Sequence, residues 1–243
     1  MKKIFITDYD GTLFTNEESL KENIKWLKKL QKIGFLINIS TGRSYPSIKE
    51  QINLYQIPCD LITCADGSIT FDSEGHLIKC FPIDNNIIEP FAKFYQNLDY
   101  DEIQFSYPEG YLNTLSETNN NLLGINVCIN TRNYNKRLVK SFYKMKKKMP
   151  NYNYLAYSHP NYSYLCVKPV DISKSFAASY LQKLYDIKKE DIYVIGDSSN
   201  DLELIHDFNG ACMTSSYDDI LKICKKRYNE VSDYINEILK EKD

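Results

Sequence analysis

The sequence predicts an α/β protein whose core is a doubly wound parallel sheet, interrupted by a smaller α+β module. Three observations carry this expectation. Short β-prone runs alternate with helically spaced segments between Ile4 and Cys64; the pattern changes between about Pro82 and Lys168; and strand–helix alternation returns from Ser173 onward. A chain of 243 residues is long enough for a core with a second domain inserted. The expected division is a core of residues 1–82 and 169–243 and an insertion of residues 83–168.

Ile4–Thr7 is a short apolar run that ends at Asp8, and Glu17–Ile33 places Leu20, Ile24, Leu27 and Leu30 on one helical face. Phe35–Ile39 reads as a buried strand stopped by Ser40-Thr41-Gly42-Arg43, Ser44–Leu54 as a helix, and Leu61–Cys64 as a third strand. This β-α-β-α-β order makes the core Rossmann-like, with ligands expected at the carboxyl ends of its strands, where Asp8 and Thr41 fall. In the insertion we expect helices over Asp84–Asn97 and Asn133–Met149, with strands near Ile103–Tyr107, Gly124–Ile129, Tyr152–Tyr157 and Tyr162–Lys168. The core then resumes with a helix at Ser173–Tyr185, a strand at Ile192–Ile195 and a helix from Ser199 to His206.

Thirty basic and 32 acidic residues give a formal charge of −2, so no global field draws nucleic acid or an anionic membrane, and a phosphate must be bound locally. The basic cluster Lys144, Lys146, Lys147 and Lys148 lies in a segment with Leu138, Phe142 and Met145 at helical spacing, which suits a solvated helix face. The seven cysteines are scattered and form no CxxC pair, which fits a reduced, cytoplasmic setting better than a disulfide framework or zinc site. Only four apolar-type residues follow Lys2-Lys3 before Asp8, and no stretch approaches the ~20 apolar residues of a membrane span. A soluble protein is expected, and its oligomeric state is not encoded legibly.

The chemistry concentrates in four places. In Asp8-Tyr9-Asp10-Gly11-Thr12, two acids separated by one residue at a strand end can share the crevice, with Gly11 permitting a sharp exit; alternatively the segment is a turn with solvated acids. Gly196-Asp197-Ser198-Ser199-Asn200-Asp201 follows another short strand, so Asp8 and Asp197 can supply the carboxylates that hold a hard cation such as Mg²⁺. Asp201 has two readings, a helix-start charge or a residue that supports the metal's ligands. Thr41 and Gly42 offer a hydroxyl and backbone N–H groups to a phosphate oxygen, though a Ser/Thr helix cap is the plainer alternative. Lys174, at a helix start, opposes the dipole, a mild conflict that suggests use.

Taken in order, Asp8-x-Asp10-Gly11-Thr12, Thr41-Gly42-Arg43, Lys174 and Gly196-Asp197-x-x-Asn200-Asp201 resemble the four motifs of the haloacid dehalogenase-like superfamily, in particular its Cof-type phosphatases, and the insertion resembles that group's α/β cap. The resemblance implies a phosphatase with Asp8 as nucleophile, Asp10 as general acid and then base, Thr41 on the phosphate with Gly42 and Arg43 beside it, and Lys174 offsetting charge. It further implies Mg²⁺ on Asp8, the Asp10 backbone carbonyl and Asp197, Asn200 near the phosphate, and Asp201 behind the metal. The implied partner is a small phosphorylated metabolite such as a sugar phosphate. A carboxylate attacking an anionic phosphate requires such compensating charge on independent chemical grounds.

The sequence departs from the family pattern at Ala65-Asp66-Gly67, where an Asn-Gly pair is frequent, at Ser175, and at Met213-Thr214-Ser215. Arg43 reads two ways, toward substrate or paired with Asp66 or another core acid. Tyr107, Tyr111, Asn113, Asn126 and Tyr164 are expected to set substrate choice. Two other functions stay open: a phosphotransferase or phosphomutase on the same core, and a non-catalytic regulatory protein using the lysine cluster.

Overall fold

The computed structural model describes residues 2–96, 100–115, 121–130, 136–158, 162–208 and 210–240. It divides into two compact units, one of Met1–Arg43, Ser47–Lys79 and Ser173–Asp243, the other of Ser44–Pro46 and Cys80–Ile172.

In chain order the first unit begins with β1 (Lys3–Thr7), α1 (Glu17–Lys32), β2 (Phe35–Ser40), α2 (Tyr45–Tyr55, whose first two residues belong to the other unit), β3 (Leu61–Cys64), β4 (Ile69–Asp72) and β5 (Leu77–Cys80). The second unit holds α3 (Ile88–Tyr95), β6 (Glu102–Tyr107), β7 (Gly110–Leu112), β8 (Gly124–Asn130), α4 (Lys136–Lys148), β9 (Tyr152–Ser158) and β10 (Tyr162–Pro169). The first then closes with α5 (Lys174–Leu184), β11 (Ile192–Gly196), α6 (Leu202–Asp207), β12 (Ala211–Met213), α7 (Asp218–Ile223), β13 (Lys226–Tyr228) and α8 (Val231–Lys240).

The core sheet runs β13-β12-β11-β1-β2-β3-β4-β5, parallel from β13 to β3, with β4 antiparallel to β3. Period-two alternation gives β1 two working faces. Ile4 and Ile6 pack with Ala178 and Leu181 of α5 and Leu204 of α6, whereas Phe5 meets Tyr234 of α8 with ring centroids 5.8 Å apart. This is the doubly wound α/β core that the sequence predicts. Its consequence is positional: β11, β1, β2 and β3 are adjacent and parallel, so the residues that follow each of them leave the sheet at the same end.

Helix α1 forms because Asn16 caps it, accepting from the Ser19 N–H at 2.9 Å, because Glu17 and Glu18 open it and Lys29 and Lys32 close it, and because Leu20, Ile24, Leu27 and Leu30 fall on one buried face. Asn23 on that face is fully buried; its Nδ2 donates to the Leu13 carbonyl at 3.1 Å, and its Oδ1 accepts from the Ser232 N–H at 2.9 Å. It thus ties α1 to the loop after β1 and to α8. Asn23→Leu should destabilise the fold by about 1–3 kcal/mol, because both backbone groups lose their partner. An unchanged urea midpoint would contradict this assignment.

The second unit is an antiparallel sheet, β7-β6-β8-β10-β9. Ile103, Phe105, Ile125, Val127, Ile129, Leu165 and Val167 share a core with Phe91 of α3 and Phe142 of α4, whose rings meet edge-on at 6.4 Å. Tyr107 is 2 % exposed within this core. Asn126 pairs with Gln104 on one side and Cys166 on the other, and Tyr164 pairs with Cys128, so these residues alternate onto the polar face of the sheet. Tyr111 and Asn113 are exposed.

The strands and helices expected up to residue 206 recur with shifted ends: α3 is shorter, after a 3-10 turn at Asn85–Ile87, and α6 follows a 3-10 turn at Ser199–Asp201. Asn97 and residues 133–135 of the expected helices lie outside the described residues. The sheet also gains β4, β5, β12 and β13, and the chain gains α7 and α8, none of which the reading above assigned. Among the described residues, no helix is long and apolar enough to cross a membrane.

Candidate active site

Chain direction at the end of β1 separates the two acids from the residue between them. Tyr9 turns inward: it is fully buried, stacks on Phe14 at 5.7 Å and donates its hydroxyl to Gln51 at 3.2 Å. Asp8 and Asp10 therefore point away from the core side. Backbone bonds from Leu13 N to Asp8 O and from Phe14 N to Tyr9 O close the loop. Gly11 adopts φ +82°, and a Cβ there would lie 2.6 Å from Asp197 Oδ2, so both conformation and space require glycine.

Asp8, at the end of β1, meets Lys174, the first residue of α5, whose Nζ donates to Asp8 Oδ1 at 2.6 Å and to Asp201 Oδ1 at 2.7 Å. Lys174 and Asp201 have no exposed side-chain surface. The N-cap of α5 is Ser173, which accepts from the Phe176 N–H, leaving Lys174 to turn toward the acids. That contact resolves the lysine's conflict with the helix dipole. The other oxygen of Asp201 accepts from the N–H groups of Asp197 and Ser198, both at 3.2 Å. Asp201 is thereby a brace: it fixes the lysine and the loop that carries Asp197. Asp197 in turn accepts from the Thr12 hydroxyl at 2.5 Å.

Asp8, Asp197 and Asp201 each present a carboxylate oxygen within 4.8 Å of the others, an arrangement that can hold a metal ion. The electrostatics point the same way. Burial pushes the Asp8 carboxyl well above the usual carboxylate range, against the pull of Lys174 and with the help of Asp201 and Asp197. Burial likewise raises Asp197 to about 6, opposed by the Thr12 hydroxyl. Lys174 loses hydration on burial, but Asp201 and Asp8 outweigh that loss and hold it protonated. One lysine facing the buried Asp8 and Asp201 and the half-buried Asp197 leaves the cluster short of positive charge, and hard carboxylate oxygens favour a hard cation.

Asp10 stands apart from this cluster. Its carboxylate receives two hydrogen bonds from Arg43, Nε at 2.7 Å and Nη2 at 2.6 Å, and its side chain is 51 % exposed. The Arg43 guanidinium also lies over the Tyr9 ring, 5.1 Å from its centroid. Of the two readings of Arg43, pairing with a core acid is the arrangement seen, and the acid is Asp10. Thr41, at the end of β2, is buried; its N–H donates to Thr63 O, and its hydroxyl accepts from the Arg43 N–H at 3.2 Å. Asn200 donates to Asp66 Oδ1 at 2.8 Å. Asp66 itself, expected only as a departure from the motif and a candidate partner of Arg43, follows β3 at the same end of the sheet, and Gly42 packs against it. Its position two residues past a parallel strand is the signal that marks it.

A family model described as haloacid dehalogenase-like hydrolase matches residues 5–126 and 106–237, nearly the whole chain. The chain belongs to that family. Among its relatives, this haloacid dehalogenase-like hydrolase is 24% identical to phosphoglycolate phosphatase 1 of Saccharolobus solfataricus, over 97% of this chain and 89% of the relative. It is 26% identical to the 5-amino-6-(5-phospho-D-ribitylamino)uracil phosphatase YwtE of Bacillus subtilis, over 83% of this chain and 84% of that one. The fold is shared with a haloacid dehalogenase-like hydrolase from B. subtilis at a TM-score of 0.80 and 18% identity, covering 98% of this chain and 99% of the other.

Proposed function

We propose that this phosphatase hydrolyses a small phosphorylated metabolite, of the sugar-phosphate kind, through an aspartyl-phosphate on Asp8. The observation that carries the reading is the Asp8 carboxylate, buried at a strand end and held by Lys174 at 2.6 Å beside a second acid, Asp197, able to share a cation. The donor set fits Mg²⁺, which Asp8, Asp197 and the Asp10 backbone carbonyl would hold with Asp201 bracing them. Bound there, Mg²⁺ supplies positive charge that offsets the repulsion between carboxylate and phosphate.

Asp8 attacks phosphorus, forming the acyl-phosphate bond as the ester P–O bond breaks, while Asp10 gives its proton to the departing oxygen. Asp10 then takes a proton from water, whose oxygen attacks phosphorus, releasing inorganic phosphate and the Asp8 carboxylate. The half-exposed position of Asp10 supports this role, since it must exchange protons with water; the bonds from Arg43, which occupy both of its carboxylate oxygens, would have to open on one side for the proton to be carried. Lys174 offsets charge on the phosphate oxygens. The bond from Arg43 N uses a lone pair of the Thr41 hydroxyl, so its proton serves a phosphate oxygen. Asn200 lies at the margin of the phosphate site. The unit formed by the inserted residues acts as the specificity-setting cap, and the polar face carrying Asn126 and Tyr164 suits that task better than Tyr107, which packs inside.

With p-nitrophenyl phosphate, turnover should require Mg²⁺, vanish with a chelator and return on adding the ion. Mg²⁺ at 100 times its Kd should also stabilise the fold by about 2.7 kcal/mol, visible as a raised melting temperature. Metal-independent turnover would contradict the proposal, and isomerisation of a hexose phosphate without release of inorganic phosphate would make the enzyme a phosphomutase.

A further inference from the structure

Among the described residues, three buried side-chain polar atoms have no hydrogen-bond partner: the hydroxyl oxygens of Ser40, Ser68 and Ser216. Ser40 ends β2, Ser68 follows β3 and Ser216 follows β12, all strands of the parallel core, so the three lie on the side of the sheet that carries Asp8 and Asp197. Leaving a polar group unpaired inside a protein costs stability, and each one that is retained calls for a reason, a part in the chemistry among them.

Register shows what lies beside Ser40. Strands β1 and β2 run parallel with Ile6 against Asn38 and Thr7 against Ile39, so the next position sets Asp8 alongside Ser40. Asp8 keeps to the sheet there, its N–H donating to the Ile195 carbonyl of β11 at 3.0 Å. Both side chains take the α5 face: Ile4, Ile6 and Leu36 pack on it at even spacing before them, and Asp8 meets Lys174 of α5. On the other side of Ser40 stands Thr63 of β3, whose hydroxyl is already engaged with Asn38 and Thr70, both at 3.2 Å. Asp8 is the sheet neighbour left to Ser40, and a swing between staggered rotamers re-aims a serine hydroxyl.

The second half of the reaction gives that hydroxyl a use. As water attacks phosphorus, the bond from phosphorus to the Asp8 oxygen breaks, its electron pair returns to the carboxylate, and a proton of the water passes to Asp10. Negative charge then grows on both oxygens of Asp8, of which Lys174 meets one, at 2.6 Å. A donor that is unbonded in the resting site and bonds as this charge appears lowers the barrier without stabilising the starting state. We propose that the Ser40 hydroxyl is that donor, bonding the departing Asp8 carboxylate and so speeding hydrolysis of the phosphoenzyme. Its own proton stays on Ser40 throughout. The inference rests on the phosphatase reading above and adds a residue to its second step.

The test is rapid-quench kinetics of Ser40→Ala with p-nitrophenyl phosphate in saturating Mg²⁺. Losing a hydrogen bond to a charged group should slow phosphoenzyme hydrolysis by about 10- to 100-fold. Because phosphorylation of Asp8 is untouched, kcat and KM should fall together, kcat/KM should stay near wild type, and p-nitrophenolate should appear in a burst that matches the enzyme concentration. Altered packing alone would not produce that split. The melting temperature should not fall, since the hydroxyl removed has no partner in the resting fold. A fall of several degrees would mean that the hydroxyl is bonded at rest, and would overturn the proposal. A loss of kcat/KM equal to the loss of kcat would place Ser40 in the first step and overturn it as well. Wild-type turnover without a burst in the variant removes this step alone, whereas wild type that releases no p-nitrophenolate defeats the reaction assigned above and this step with it.

Discussion

Asp8→Asn should lower kcat for p-nitrophenyl phosphate by about 10⁴-fold while the protein stays folded. An amide has nearly the carboxylate's shape but cannot attack phosphorus. The loss should appear in kcat and not in folding, because burial already disfavours the charged form of Asp8 and because Lys174 keeps Asp201 as a partner at 2.7 Å. A variant that retains a tenth of wild-type turnover would remove Asp8 from the reaction, whatever its position in the fold.

Lys174→Met should damage the fold as well as the reaction. Methionine approximates the aliphatic stem, but the ammonium it removes is buried and bonded to two buried acids. Deleting one member of a buried ionic cluster costs about 3–5 kcal/mol, because the carboxylates left behind are uncompensated. In a chain of this size that corresponds to a fall in melting temperature of roughly 10 °C. Saturating Mg²⁺ should recover part of this loss, since the cation supplies charge to the same carboxylates, but not turnover. If the variant melts with wild type in a chelator, the lysine is not the counter-charge that the geometry makes it.

The parallel core was legible because β1, β2, β3 and β11 are buried on both faces and read as continuous apolar runs closed by polar loops. For the same reason Asp8 and Asp197, each the first residue past such a strand, and Thr41, which follows Ser40, could be grouped before any coordinates. Strand β12, three residues long, is too short to show a period, and β4 and β5 lie beyond a turn whose polar residues mask them. Helix α8 is a different case: Val231, Tyr234, Ile235 and Ile238 carry a clear helical period that the sequence reading passed over.

Within the site, residue types announced the buried cluster, whereas pairings did not. The bond between Arg43 and Asp10 joins residues 33 positions apart, and that between Asn200 and Asp66 spans 134. Nothing local distinguishes Asp10 from Asp66 as the partner of Arg43. Sheet order does not decide it either, since β2 lies between β1 and β3; only the direction of the side chains does. Asp201 illustrates the same point: it opens its 3-10 turn as the acid of a capping box with Ser198, as one reading had it, and its bond to Lys174, 27 positions away, has no local signal.

The central claim is a phosphoryl group carried by Asp8, and acid-quenched mass spectrometry tests it most directly. Asp10→Asn should still be phosphorylated by an activated donor such as p-nitrophenyl phosphate in Mg²⁺ but lack the base that drains the adduct. Peptides from the quenched protein should then carry one phosphoryl group, on the fragment containing Asp8 and on that residue, and Asp8→Asn should show none. A phosphoryl group on another residue would contradict the account, as would wild-type turnover with no phosphoenzyme trapped in the Asp10 variant.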